Sequence, residues 1–261
     1  MNDQTGLRLG PYRLIRPLEP GRLAERWLAL HEQAQSSHTV HRFGICADKA
    51  EQRRFLFAVE AISELEHPHL LPIEQYSFMK DGRPWVVAPY VGNQTGIVTL
   101  RRLLEDRDGN FGPLEVQRGV TQLLDAMSWA HERGHHHGEL AMDEILVDRR
   151  GSLWIEMFGM ARRLDALGPA NQELVRDEVR SVVEIAYRML TGVDADEPLI
   201  RPSRLVRRLD RRWDAWFLRG LDASDGFDTP LEAVLALPGH TVDVDGITTR
   251  NVFRRLRRSQ R

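Results

Sequence analysis

Four histidines, His131, His135, His136 and His137, stand close together and are of a type and spacing that could do chemistry. His131 and His135 are four residues apart, which would put two imidazoles on one helix face, an arrangement able to hold a metal ion. The structural reading is stronger, because a histidine at the end of a helix is favoured by the helix dipole, and no metal is expected. The other charged groups that stand out are arginines. They recur from Arg201 to Arg212, as on a solvated helix face, with an anion- or partner-binding patch as the sharper reading. Arg250, Arg254, Arg255, Arg257, Arg258 and Arg261 follow with no acid among them. Such a basic tail could touch an acidic partner or an anionic membrane surface. Lysine is scarce: Lys49 and Lys80 are the only ones.

The balance of the whole chain narrows the classes. Its 261 residues, 42% apolar, can bury a full-sized core in one bilobal domain or two small ones. A formal charge of -2 gives no global reason to expect nucleic-acid binding. Cys46 has no second cysteine to pair with, which fits a reducing compartment, and a cytoplasmic location is expected. The opening MNDQTGLRLGPYRL lacks the apolar run of a signal peptide. No stretch approaches the roughly 20 apolar residues of a membrane helix.

The elements that must position these groups change character along the chain. Tyr12 to Leu18 alternates apolar and polar residues as a half-buried strand does, and Glu25 to Leu30 and Val40 to Cys46 are further strand candidates. Asp48 can cap a helix running to about Leu65, with Phe55, Leu56, Val59, Ile62 and Leu65 at helical spacing. Leu71 to Phe78 and Trp85 to Val91 flank Lys80-Asp81-Gly82, which reads as a hairpin turn. After Val91 the pattern is helical. Gly112-Pro113 opens a helix to Gly134 whose buried stripe is expected at Leu114, Val120, Leu123, Leu124 and Met127. Ile145–Val147 and Leu153–Ile155 bracket the turn Arg149-Arg150-Gly151. Further helices are predicted over Asn171 to Leu190, ending at Gly192, and over Arg212 to Leu221 and Pro230 to Leu237.

Specific strings then narrow the class. LGPYRLIRPLEPG followed by RWLALH resembles the opening of bacterial Ser/Thr kinase domains. LEHPHLLPI resembles the segment after the small-lobe helix, HERGHHHGELAMDEILVDRRG the catalytic loop, MFGMARRL the start of the activation segment, and AYRMLTG the end of a large-lobe helix. They occur in family order over about residues 9 to 237. The resemblance implies an α+β, bilobal protein-kinase-like fold with a tail at 1–8, a small lobe at 9–91, a large lobe at 92–237 and a basic tail at 238–261.

Position by position, the resemblance also implies a loss of chemistry. The family's glycine-rich loop lets the backbone approach nucleotide phosphates. Here the matching run from Glu19 to Arg26 keeps only Gly21, with Ala24 among the replacements. Glu19 brings negative charge towards the phosphate position, and Arg26 replaces the valine that packs on adenine. The strand lysine falls at His41 or Arg42, and its acidic partner at Ala58. H-R-D becomes His137-Gly138-Glu139, the loop lysine Ala141 and the metal-binding asparagine Glu144. D-F-G becomes Met157-Phe158-Gly159, and a thioether is a poor ligand for Mg²⁺. Glu156 is adjacent, but strand alternation is expected to aim it away from the cleft. The structural residues match: Ile62, Ile73, His137 and Phe158 for the stack that crosses the lobes, and Glu178 for the aspartate that anchors the catalytic loop.

The expected function is therefore that of a pseudokinase, a signalling scaffold or regulator acting through protein contacts, with a kinase or other signalling protein as partner. Neither ATP nor Mg²⁺ is expected to bind. The rival reading is a divergent Ser/Thr kinase or nucleotide-binding enzyme using Glu139, Glu144 and Glu156. A third is a small-molecule sensor in the cleft, with Ala88 leaving room at its back.

Overall fold

The computed structural model describes residues 5–93, 96–107, 110–196 and 198–239. The small lobe is an antiparallel sheet of β1 (Arg8–Leu9), β2 (Tyr12–Pro17), β3 (Glu25–His31), β4 (Ser36–Arg42), β5 (Gln75–Phe78) and β6 (Pro84–Pro89), in the order β1-β2-β3-β4-β6-β5. Helix α1 (Lys49–Ser63) lies between β4 and β5 in the chain. Asp48 starts it by accepting the Ala50 and Glu51 N–H groups at 2.7 and 2.8 Å, which satisfies two donors that a helix start leaves free. Phe55, Ala58, Val59 and Ile62 form its buried face.

The large lobe holds α2 (Leu100–Asp106), α3 (Pro113–His131), a 3-10 turn at Met142–Glu144, the hairpin β7 (Ile145–Val147) and β8 (Leu153–Ile155), α4 (Met160–Leu164), α5 (Gln172–Thr191), α6 (Pro202–Leu205), α7 (Arg212–Gly220) and α8 (Pro230–Leu235). Its axis is α3, whose Val116, Val120, Leu123, Leu124, Met127 and Ala130 are all buried and which packs against α5 and α8. Asn171 caps α5, and Gly192 ends it in the left-handed region at φ 79°. No helix among the described residues is long and apolar enough to cross a membrane.

The expected bilobal α+β arrangement is the one found, and its departures from expectation have local causes. The strand expected over Val40–Cys46 runs instead over Ser36–Arg42, because Ser36, Ser37 and His38 pair with His31, Leu30 and Ala29 across a tight hairpin. Ladder pairing there outweighs polar composition. Leu114, expected in the buried stripe of α3, is 79% exposed, and Val116 holds the core position. The Arg201–Arg212 run is not one helix face: only Pro202–Leu205 is helical before α7 begins. The short helices α2, α4 and α6 were not expected at all. Part of the expected N-terminal tail joins the sheet, since Gly6 N–H donates to the Leu14 carbonyl and Leu14 N–H to that of Leu7. The basic tail, from residue 240 on, lies outside the described residues.

One apolar core runs across both lobes, from Phe55, Ala58 and Ile62 of α1 through Ile155 and Phe158 to Leu123 and Met127 of α3. The residues expected to stack across the lobes sit at this seam. Ile62 and Phe158 are in the core, and half-buried Ile73 packs against it. His137 meets Phe158 edge-on, with ring centroids 5.1 Å apart. Phe158 is 3% exposed, so Phe158→Ala should open a cavity and cost about 3–5 kcal/mol, read as a lower urea midpoint.

Candidate functional site

Between the lobes, the loop joining β2 and β3 faces the Met142–Glu144 turn and residues 156–157. Alternation along β3 sends Arg26 inward, where it is 1% exposed. Its Nε donates to both oxygens of Glu156 at 3.1 Å. Its Nη2 also donates to Glu156 Oε2 and, at 3.0 Å, to the Asp143 carbonyl. Its Nη1 reaches the Pro20 carbonyl at 3.5 Å. Beside this pair Arg22 Nη1 donates to Glu144 Oε2 at 3.2 Å. Each guanidinium belongs to the small lobe and each carboxylate to the large one. What remains between Gly21, Arg22, Leu23, Ala24, His41, Glu144, Glu156 and Met157 is a cavity of about 10 Å³, the space of about one water.

Glu156 corrects the expectation that it would point away. Strand β8 ends at Ile155, so pleat alternation no longer governs the next residue, and the Glu156 carboxylate turns into the cleft towards Arg26. Arg22 was missed altogether. A sequence signal for the main pair existed, because an arginine in an apolar position demands a buried countercharge.

The two candidates for the lysine position separate cleanly. His41 lies in the cleft with Nε2 3.5 Å from Glu156 Oε1. Burial, aided by Arg26, pushes its pKa below the usual histidine value despite Glu156, so it is neutral at pH 7. Arg42 faces the other way, over the Trp27 ring at 5.8 Å and 3.7 Å from Glu25 Oε2. Ala58 is buried on α1 and offers no polar group. Glu19 is exposed. Gly21 N–H donates to the Ala24 carbonyl at 2.9 Å, which curls the loop inward. A Cβ on Gly21 would lie 3.0 Å from Arg26 Nε, so a larger residue there would press on the guanidinium.

The large-lobe positions are equally committed. Glu139 is exposed, and Ala141 is half-buried. Glu144 is 5% exposed; besides Arg22 it accepts the Ala141 N–H at 3.0 Å, closing the turn on itself. Met157 is buried with φ 50°, a left-handed conformation that non-glycine residues seldom adopt. Gly159 follows at φ 70°, where a Cβ would lie 2.5 Å from the His136 carbonyl oxygen. Glu178, 0% exposed, accepts the Gly138 N–H at 2.5 Å and so ties this loop to α5. His137 is buried, and burial pushes its pKa down. His131 and His135 do not converge: His135 Nδ1 meets Arg163 Nη2 at 2.6 Å, and it is His136 that stacks on His131. Ala88 is 1% exposed in a cluster with Leu71, Ile97 and Leu146 rather than against an open cleft.

Comparison with known proteins agrees with this architecture. The chain is 28% identical over 201 residues to the Serine/threonine-protein kinase PknF of Mycobacterium tuberculosis, covering 73% of this chain and 40% of that protein. It is 25% identical over 225 residues to the Probable serine/threonine-protein kinase pknA2 of Bifidobacterium longum, covering 76% and 29%. The chain thus spans well under half the length of these relatives. The crystal structure of the Mycobacterium tuberculosis PknI kinase domain superposes with a TM-score of 0.69 at 22% identity, covering 91% of this chain and 98% of that one, a likeness of fold. The family described as protein tyrosine and serine/threonine kinase matches residues 21–181, and the chain belongs to that family.

Proposed function

We propose that this protein-kinase-family domain is a pseudokinase that works through protein contacts. The observation that carries the reading is the Arg26–Glu156 pair, which occupies the cleft between the β2–β3 loop and residues 156–157 and leaves a cavity of about 10 Å³ there. Kinase chemistry depends on charge and metal placed around a bound nucleotide. Here the residues do not fit Mg²⁺-ATP. His41 is neutral where the family has a cation, Met157 offers sulfur where Mg²⁺ needs oxygen, and Arg26 occupies the volume between them. The rival enzyme needs Glu139, Glu144 and Glu156 free. Glu144 and Glu156 are bound to arginines, and Glu139 points to solvent.

The surface available for contact includes a groove of about 660 Å³ on the α1 and α4 side, where exposed Phe57 and Leu167 sit among Arg54, Arg162 and Arg163. That combination favours an acidic partner segment with an apolar residue. The proposed scaffold role thus has a surface as well as a lost activity.

Thermal melts with ATP, with and without Mg²⁺, test the nucleotide claim, since a ligand bound only by the folded state raises the midpoint. No shift is expected in either. The matching activity test uses radioactive ATP with the parent and Glu139→Gln. No label is expected in either, and label in the parent that Glu139→Gln loses would reinstate an atypical kinase.

The cleft pair gives a separate outcome. Arg26→Val strands a buried carboxylate and should cost about 3–5 kcal/mol. Adding Glu156→Val removes the stranded charge and should recover most of that loss, as read from urea midpoints of the single and double variants.

A further inference from the structure

Outside the cleft, one cluster sets two histidines against the buried carboxylate of Glu178. Helix α3 ends at His131, the chain turns through Gly134 at φ 75°, and it returns along the helix end with His136. The His131 and His136 rings stack with centroids 4.5 Å apart and planes 26° apart. Both direct a nitrogen towards the same oxygen of Glu178: His131 Nε2 lies 2.5 Å and His136 Nδ1 3.3 Å from Oε2. The ligand atoms of the three residues lie within 4.8 Å of one another, and among the described residues no other three such side chains converge. His131 Nδ1 is buried without a hydrogen-bond partner, while its Nε2 makes a close ion-pair contact with Glu178. Two imidazole nitrogens and a carboxylate oxygen thus converge, and all three are of the donor types that zinc takes.

We propose that His131 Nε2, His136 Nδ1 and Glu178 Oε2 bind a zinc ion, with water as the fourth ligand. Imidazole nitrogen and carboxylate oxygen are zinc donors at about 2.0–2.2 Å, which separates neighbouring ligand atoms of a tetrahedral site by about 3.3 Å. His136 and Glu178 already stand 3.3 Å apart. His131 must draw back by less than about 1 Å from Glu178, a small side-chain rotation, to reach the same spacing. The hard cation Mg²⁺ prefers an all-oxygen shell and is disfavoured. The Glu178 carboxylate is oriented through its other oxygen by the Gly138 N–H, the kind of outer hydrogen bond that positions a metal ligand. His136 also lines the groove beside Gly134, which gives an ion a path from solvent. Bound there, zinc would staple the end of α3 and the loop after it to α5. The pair suggested by spacing alone, His131 with His135, is not the one that converges.

The test uses the full chain after treatment with a chelator. Zn²⁺ is titrated by calorimetry and Co²⁺ by visible absorption, and thermal melts are recorded with and without Zn²⁺. One equivalent of zinc should bind and raise the melting midpoint. His136→Ala should weaken binding at least about tenfold, while His135→Ala should bind as the parent does. In case His136→Ala disturbs the loop, ¹H–¹⁵N spectra of the unaltered protein supply a second reading: zinc should abolish the pH titration of His131 and His136. Absence of saturable binding, equal affinity in His136→Ala, or histidine signals that titrate unchanged with zinc present would each overturn the site.

Discussion

The buried contact between Arg26 and Glu156 is the constraint around which the cleft is organised. Removing two charges from water costs several kcal/mol per ion, and the pair is tolerable only when the donors and acceptors around it are used. Arg26 meets that condition by binding Glu156 together with the Asp143 and Pro20 carbonyls. The neighbouring features follow from it. The loop curls so that Pro20 reaches the guanidinium, and a side chain at Gly21 would press on it. His41 sits beside a carboxylate already neutralised by arginine and stays neutral itself. Arg22 and Glu144 then repeat the same cross-lobe pairing nearer solvent, where it contributes less.

Architecture and chemistry separate along clear lines. The groups at the seam between the lobes are packed in the common core: Ile62 from the small lobe, and Phe158, edge-on to His137, from the large lobe. The charged groups of the cleft bond one another or face solvent: Arg26 with Glu156, Arg22 with Glu144, and Glu139 exposed. That division supports the proposed non-catalytic role without any appeal to a missing ligand.

Much of the fold was legible in the sequence because its signals are local. The Asp48 cap, the Gly112-Pro113 start and the Gly192 stop each act within one helical turn, and they marked the ends of α1, α3 and α5 to within about a turn. The β7–β8 hairpin was bounded by its own turn. Helices α2, α4 and α6 escaped because four to seven residues are too few to show a periodicity. The site was half legible. Arg26 marked itself as anomalous by residue type, yet its partner lies 130 positions away, and no spacing rule reaches that far. Glu156 was aimed wrongly because alternation was carried one residue beyond the end of a strand. The register of His41 and Arg42 needed the pairing with β3, which a single strand does not reveal.

The two cross-lobe arginine contacts also oppose a change in the angle between the lobes. Opening the hinge would have to expose Glu156 and Arg26 together, and the shared core at Phe158 would part with them. A molecule that bridges both lobes would therefore meet two lobes already tied together. Little conformational freedom is then left to lose on association, the circumstance in which a modest interface can hold tightly and release slowly.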